Sequence, residues 1–279
     1  MKTAFILSGE GARGGYQAGV IKQLVDKGTI PDEIHGVSSG SINAVGYSYL
    51  GADGLCDVWK NIDDIDKVFT FNKWRALWRN GVYSTKPISD LIKISIEEKT
   101  PICEAIVSIL NAKTGQLARV SNYKDSKKLF KMAAVASLTI PGLIEADHPD
   151  WIDAGARQLV PLKYVIKGGA TNIIVILGRP IDAPLWKSNG GIWHPFGIGM
   201  FEAVEYGYRF IDLMLYEILL RDIEKCKRKN QLAMAGNRKF KQVKLTVYGP
   251  NKFLFDSLIF RRSHEGLKQG LNELNVMSV

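Results

Sequence analysis

The chain has 279 residues, 46% hydrophobic and 23% charged, the proportions of an ordinary globular protein with enough apolar surface for a sizeable core. No apolar run approaches the roughly 18 residues that span a bilayer, and Ala4-Phe5-Ile6-Leu7 is too short for a secretory leader. The formal charge of +9 is concentrated in residues 221–262, where twelve Lys and Arg face only Asp222, Glu224 and Asp256, so an anionic partner or a solvated basic face is expected there.

Residues 2–7 read as a short β-strand that stops at the glycine-rich turn Ser8-Gly9-Glu10-Gly11-Ala12-Arg13-Gly14-Gly15. Beyond it Tyr16, Val20, Ile21, Leu24 and Val25 fall at helical spacing, with Gly28 as the C-terminal stop. A second buried strand is expected over 34–37, then a helix marked by Ile42, Val45 and Tyr49 and closed by Gly51. Two strand–turn–helix units in fifty residues predict an α/β fold with a mostly parallel sheet and helices on its faces. Strands over 105–110 and 117–120 flank the turn Lys113-Thr114-Gly115, and a helix follows over 126–137. Residues 172–177 are continuously apolar, the pattern of a strand buried on both faces. A Gly-, Pro- and Trp-rich connection over 180–199, a long helix over 201–229 and a strand over 243–248 complete the pattern. With no repeat or linker, one domain over 1–279 is expected. Cys56, Cys103 and Cys226 have no metal-like spacing, which points to free thiols, a reducing cytoplasmic setting, and no metal or other cofactor.

Gly36-Val37-Ser38-Ser39-Gly40 fits G-x-S-x-G between a strand and a helix. A nucleophile on so sharp a turn needs neighbours without side chains, here Gly36 and Gly40, and the helix that follows directs amide dipoles toward the serine oxygen. Gly9-Glu10-Gly11-Ala12-Arg13-Gly14 fits G-x-G-x-x-G. A dinucleotide site would require an acidic residue at the end of the next strand, but Asp32 and Glu33 precede that strand. Backbone amides of such a loop can instead stabilise an oxyanion. For a general base, none of His35, His148, His194 and His264 stands in a triad setting. Asp153, in Trp151-Ile152-Asp153-Ala154-Gly155, is another candidate, although spacing alone does not select it from solvated turn aspartates.

Taken together and in order, residues 9–14, residues 36–40 and Asp153-Ala154-Gly155 resemble the motifs of the patatin-like phospholipases. The resemblance extends to Tyr83-Ser84-Thr85-Lys86-Pro87, Ala136-Ser137 and Ile140-Pro141-Gly142, and runs over residues 2–177. It implies a three-layer α/β/α sandwich and hydrolysis of lipid acyl esters by a Ser–Asp dyad through an acyl-enzyme. It further implies Ser38 as nucleophile, Asp153 as base, and an oxyanion hole within Gly9, Gly11, Ala12, Arg13 and Gly14. Two positions depart from the usual pattern: Glu10 stands where a third glycine is common, and Ala154 follows the aspartate where glycine is common. A soluble carboxylesterase or thioesterase, or a weakly active regulatory member of the fold, are the alternative readings. No nucleic-acid signature accompanies the basic C-terminal region.

The expected partner is a phospholipid or other acyl ester, with peripheral contact at an anionic membrane. Arg221, Lys225, Lys227, Arg228 and Lys229 would supply the charge. The aromatic residues Phe69, Phe71, Trp74, Trp78, Tyr83, Trp186, Trp193 and Phe196 are candidates for the interface, with core packing as the alternative for most of these rings.

Overall fold

The computed structural model describes residues 1–71, 81–145, 148, 150–181, 199–237, 239–252, 254 and 260–277. The chain opens with β1 (Thr3–Leu7), α1 (Gly14–Asp26), β2 (Glu33–Gly36) and α2 (Ser39–Lys60). A short antiparallel ribbon, β3 (Thr70–Phe71) with β4 (Tyr83–Ser84), leads to α3 (Lys86–Glu98). Next come β5 (Glu104–Asn111), β6 (Leu117–Ser121), α4 (Lys127–Ala136), β7 (Trp151–Asp153), α5 (Leu162–Lys167) and β8 (Asn172–Ile176). The remaining elements are α6 (Gly199–Met234), β9 (Lys244–Tyr248) and α7 (Ser263–Asn272).

Side-chain alternation in β1 sets the layering. Phe5 and Leu7 enter one apolar cluster and Ala4 and Ile6 another, all four fully buried. A strand apolar on both faces needs helices on both sides of its sheet. One face is covered by α1, α2, α3, α4 and α7, the other by α5 and α6. Between them lies a sheet in the order β6-β5-β2-β1-β8-β9. The five strands β5, β2, β1, β8 and β9 run parallel, while β6 and β7 both pair antiparallel with β5. β8 is buried at every residue, as its apolar run predicts.

Gly51 closes the first helical segment of α2, as expected. Its backbone (φ 73, ψ −176) breaks the helical path at that residue, and the helix resumes to Lys60 because Leu55, Cys56 and Trp59 continue the buried face. The segment over 180–199 lies mostly outside the described residues.

Helix α7 has no counterpart in the sequence reading, because only Leu267 among its residues is a buried large apolar side chain. Backbone proximity docks it instead. A Cβ placed on Gly270 would lie 2.2 Å from the Tyr16 carbonyl oxygen, and one on Gly19 would lie 2.6 Å from the Leu267 carbonyl oxygen. Helices α1 and α7 thus touch main chain to main chain. Gly19→Ala is expected to destabilise the fold by about 1–3 kcal/mol through overpacking, read as a lower urea midpoint with an unchanged slope.

Candidate active site

The loops at the carboxyl ends of β1, β2 and β8 converge, the place where open parallel sheets build binding sites. Ser38 occupies the turn between β2 and α2 with φ 56 and ψ −131. It is the one described residue other than glycine with a positive φ, a conformation that costs about 1–3 kcal/mol and persists only where the surroundings enforce it. Here they do. A Cβ on Gly36 would fall 2.4 Å from the Gly40 carbonyl oxygen, and one on Gly40 would fall 2.3 Å from the Leu7 carbonyl oxygen. The turn is closed by Gly40 N–H donating to the Val37 carbonyl (2.9 Å) and Ser41 N–H to that of Ser38 (2.8 Å).

Asp153 reaches Ser38 through strand β5. The first half of β5 pairs with β2, Val107 opposite Gly36; its second half pairs with β7, Ile109 opposite Asp153. β7 therefore continues where β2 stops, and the Asp153 carboxylate and the Ser38 hydroxyl line the same pocket, close enough for the hydroxyl to lower the carboxylate's pKa. It also accepts the Gly155 N–H at 2.7 Å, while its own N–H donates to the Thr139 carbonyl (3.0 Å). Desolvation raises the Asp153 pKa to about 6, against the smaller lowering effects of the Gly155 hydrogen bond and the nearby Ser38 hydroxyl. Ala154 opens a 3-10 turn (Ala154–Ala156) without positive φ, and its methyl is fully buried, so alanine fits this position.

The glycine-rich loop packs directly on Ser38. A Cβ on Gly9 would lie 2.6 Å from that of Ser38, so any larger residue would displace the serine. Within residues 9–14 the amides differ in their engagement. Glu10 N–H donates to Ser39 Oγ (2.9 Å), Arg13 N–H to the Glu10 carbonyl (3.2 Å), and Gly14 N–H to the Gly11 carbonyl. Gly11, at φ 56 and lining the pocket, has no hydrogen bond from its amide among the described residues. Arg13 is not a surface residue: its side chain is 1% exposed and sits 3.3 Å from the Glu10 carboxylate. Arg179, just after β8, pairs with the same carboxylate at 2.7 Å.

Gly9, Glu10, Gly11, Ser38, Ser39, Asp153 and Arg179 form the polar end of an open pocket. Ile42, Val68, Phe69, Leu138, Ile140, Ile144, Leu159, Leu215 and Phe260 line the rest. Of the aromatic candidates, Phe69 is a buried wall of this pocket, Phe71 is half-exposed beside Tyr83, and Trp74, Trp78, Trp186, Trp193 and Phe196 lie outside the described residues. The described histidines line no part of it. Buried His35 faces Glu33 (3.2 Å) and the Tyr164 ring, His148 and His264 lie elsewhere, and His194 is outside the described residues.

Three pocket contributors carry no signal in the sequence: the role of Ser39, whose hydroxyl takes the Glu10 amide, Arg179, and the apolar wall apart from Phe69. Glu10 itself was the available signal, since an acid in a glycine-rich turn at the end of a buried strand must find a cation.

The sequence matches the family model for patatin-like phospholipase over residues 5–166. No curated protein is similar enough in sequence to count as a match. Among solved structures, VipD from Legionella pneumophila superposes with a TM-score of 0.52 at 12% identity, covering 97% of this chain and 65% of VipD. A chain from the complex of SpcU with ExoU, of the type III secretion system of Pseudomonas aeruginosa, gives 0.40 at 13% identity, covering 80% and 52%. The chain thus spans less than two thirds of the length of either, and the likeness to VipD is one of fold, the three-layer α/β/α sandwich. With the family model covering more than half the chain, the protein belongs to the patatin-like phospholipase family.

Proposed function

We propose that the chain hydrolyses carboxylic esters of lipids, phospholipids in particular, with Ser38 as nucleophile and Asp153 as its base. The observation that carries this reading is the convergence of the two side chains at the polar end of an otherwise apolar pocket. Asp153 takes the Ser38 proton as Oγ attacks the ester carbonyl carbon. Negative charge on the former carbonyl oxygen is met by the Gly11 amide, assisted by the Ser39 amide at the start of α2. As the tetrahedral intermediate collapses, Asp153 returns the proton to the leaving alcohol. A water, deprotonated by the same carboxylate, then releases the acid from the acyl-enzyme.

Desolvation tunes the base. At about 6 its pKa is well above that of an ordinary aspartate, near 3.9, yet the group is still mostly ionised at neutral pH. The apolar wall suits an acyl chain, since each buried methylene contributes about 0.8 kcal/mol. Contact with an anionic bilayer is supported by α6, where Arg221, Lys225 and Arg228 outnumber Glu217 and Glu224 on a solvent side that also carries the half-exposed Leu213 and Met214. No described helix is long and apolar enough to cross a membrane.

Ser38→Ala and Asp153→Asn are each expected to lower ester hydrolysis by at least about a thousandfold, and a fluorophosphonate probe should label Ser38 alone on peptide mapping. Retained turnover in either variant rejects the assignment. Activity of the wild type should rise with pH through about 6 and then level, because the carboxylate is the competent form. Stability should move the opposite way: a raised native pKa favours the fold at low pH and loses that contribution as pH climbs to about 6. Asp153→Asn should accordingly gain in Tm over the wild type between about pH 4 and 6, with a constant gap above. Binding to phosphatidylserine vesicles should weaken as salt screens the basic face; salt-independent binding excludes that contribution.

A further inference from the structure

Glu10 and Arg179 are unexplained by the dyad. Both line the pocket, yet both are buried, and they meet at 2.7 Å between Nε and the carboxylate. Glu10 is held from every side. Its carboxylate also accepts from Ser8 Oγ (3.0 Å) and Arg13 (3.3 Å), and its amide donates to Ser39 Oγ. Gly178 leaves room beneath it: a Cβ there would stand 2.9 Å from the Cβ and Cγ of Glu10 and from the Cβ of Arg13. Gly11 follows directly, so the path of its backbone depends on where Glu10 is fixed.

Arg179 extends the chain of contacts outward. Its guanidinium lies over the Tyr216 ring, 5.9 Å from the centroid, and the Tyr216 hydroxyl donates to the Ile181 carbonyl. Tyr216 belongs to α6, whose preceding residue, Leu215, lines the pocket. One arginine therefore joins the end of β8, helix α6 and the glycine-rich loop.

We propose that Arg179 is a positioning residue: by clamping the Glu10 carboxylate between β8 and α6 it holds the Gly11 amide where the oxyanion forms. This rests on the hydrolase reading above. Arginine suits the task because its planar, permanently charged fork fixes direction as well as distance, which a lysine ammonium does not. The clamp acts on the transition state, where the oxyanion exists, and not on binding of the ground-state ester.

The test compares wild type, Arg179→Lys and Arg179→Met on p-nitrophenyl butyrate, with kcat, KM and the pH profile measured for each and circular dichroism reporting the fold. Arg179→Met should lower kcat by about ten- to a hundredfold, approaching the loss of a whole oxyanion donor. KM should stay within about threefold, the acid limb should remain near pH 6, and Arg179→Lys should recover part of kcat. If Arg179→Met loses its native dichroism, folded Glu10→Gln must show the same fall in kcat. A folded variant with kcat within about twofold of wild type, or one whose loss appears in KM or as a displaced acid limb, overturns the proposal. If the wild type itself shows no Ser38-dependent turnover, the underlying reading fails; Ser38-dependent turnover undiminished in Arg179→Met sinks the clamp alone.

Discussion

Strand β5 is the constraint on which the site depends. It pairs with β2 over one half and with β7 over the other, so two segments more than a hundred residues apart lie end to end along one neighbour. The hydrogen-bond ladder allows only discrete registers, and a slip of one residue would carry the Asp153 side chain to the opposite face of the sheet. Proximity of Ser38 and Asp153 is therefore fixed by main-chain pairing before any side-chain contact contributes.

Close backbone packing surrounds the nucleophile turn beside that ladder. Gly9, Gly36 and Gly40 each stand where a side chain would collide with main chain or with Ser38, and Ser38 carries the strain that results. Buried polar groups behind the loop hold it still. Trp59 donates to Asn43, Asn43 to Gln17, Gln17 to Ser8, and Ser8 to Glu10, an unbroken path from the back of α2 to the glycine-rich turn. Such a network stiffens a site when its members are paired and would be costly if they were not.

Much of this was legible in the sequence, for identifiable reasons. Strand alternation and the G-x-S-x-G turn are local patterns, so β1, β2, α2 and the unusual position of Ser38 could be read directly. Asp153 is a candidate from its own segment but is selected only through the resemblance, because nothing within ten residues of it encodes the register on β5. His35 is expected to point away from the serine, and its alternation along β2 turns it toward Glu33 and Tyr164. Arg13 is named in the sequence only as part of the glycine-rich loop, and its burial against Glu10 carries no local signal. Arg179 and α7 were invisible for a common reason: each is defined by contacts with the first forty residues, and neither carries a periodicity or motif of its own.

The strand order has a consequence for where this protein could be divided. Residues 5–166 carry the recognisable family pattern, yet β1 lies at the middle of the sheet with β8 as one neighbour, and β9 closes that side. A fragment severed after position 166 would expose the bare flank of β1 and uncover Ala4 and Ile6, inviting self-association. The stretch that family comparison detects thus stops short of two strands of the sheet it belongs to.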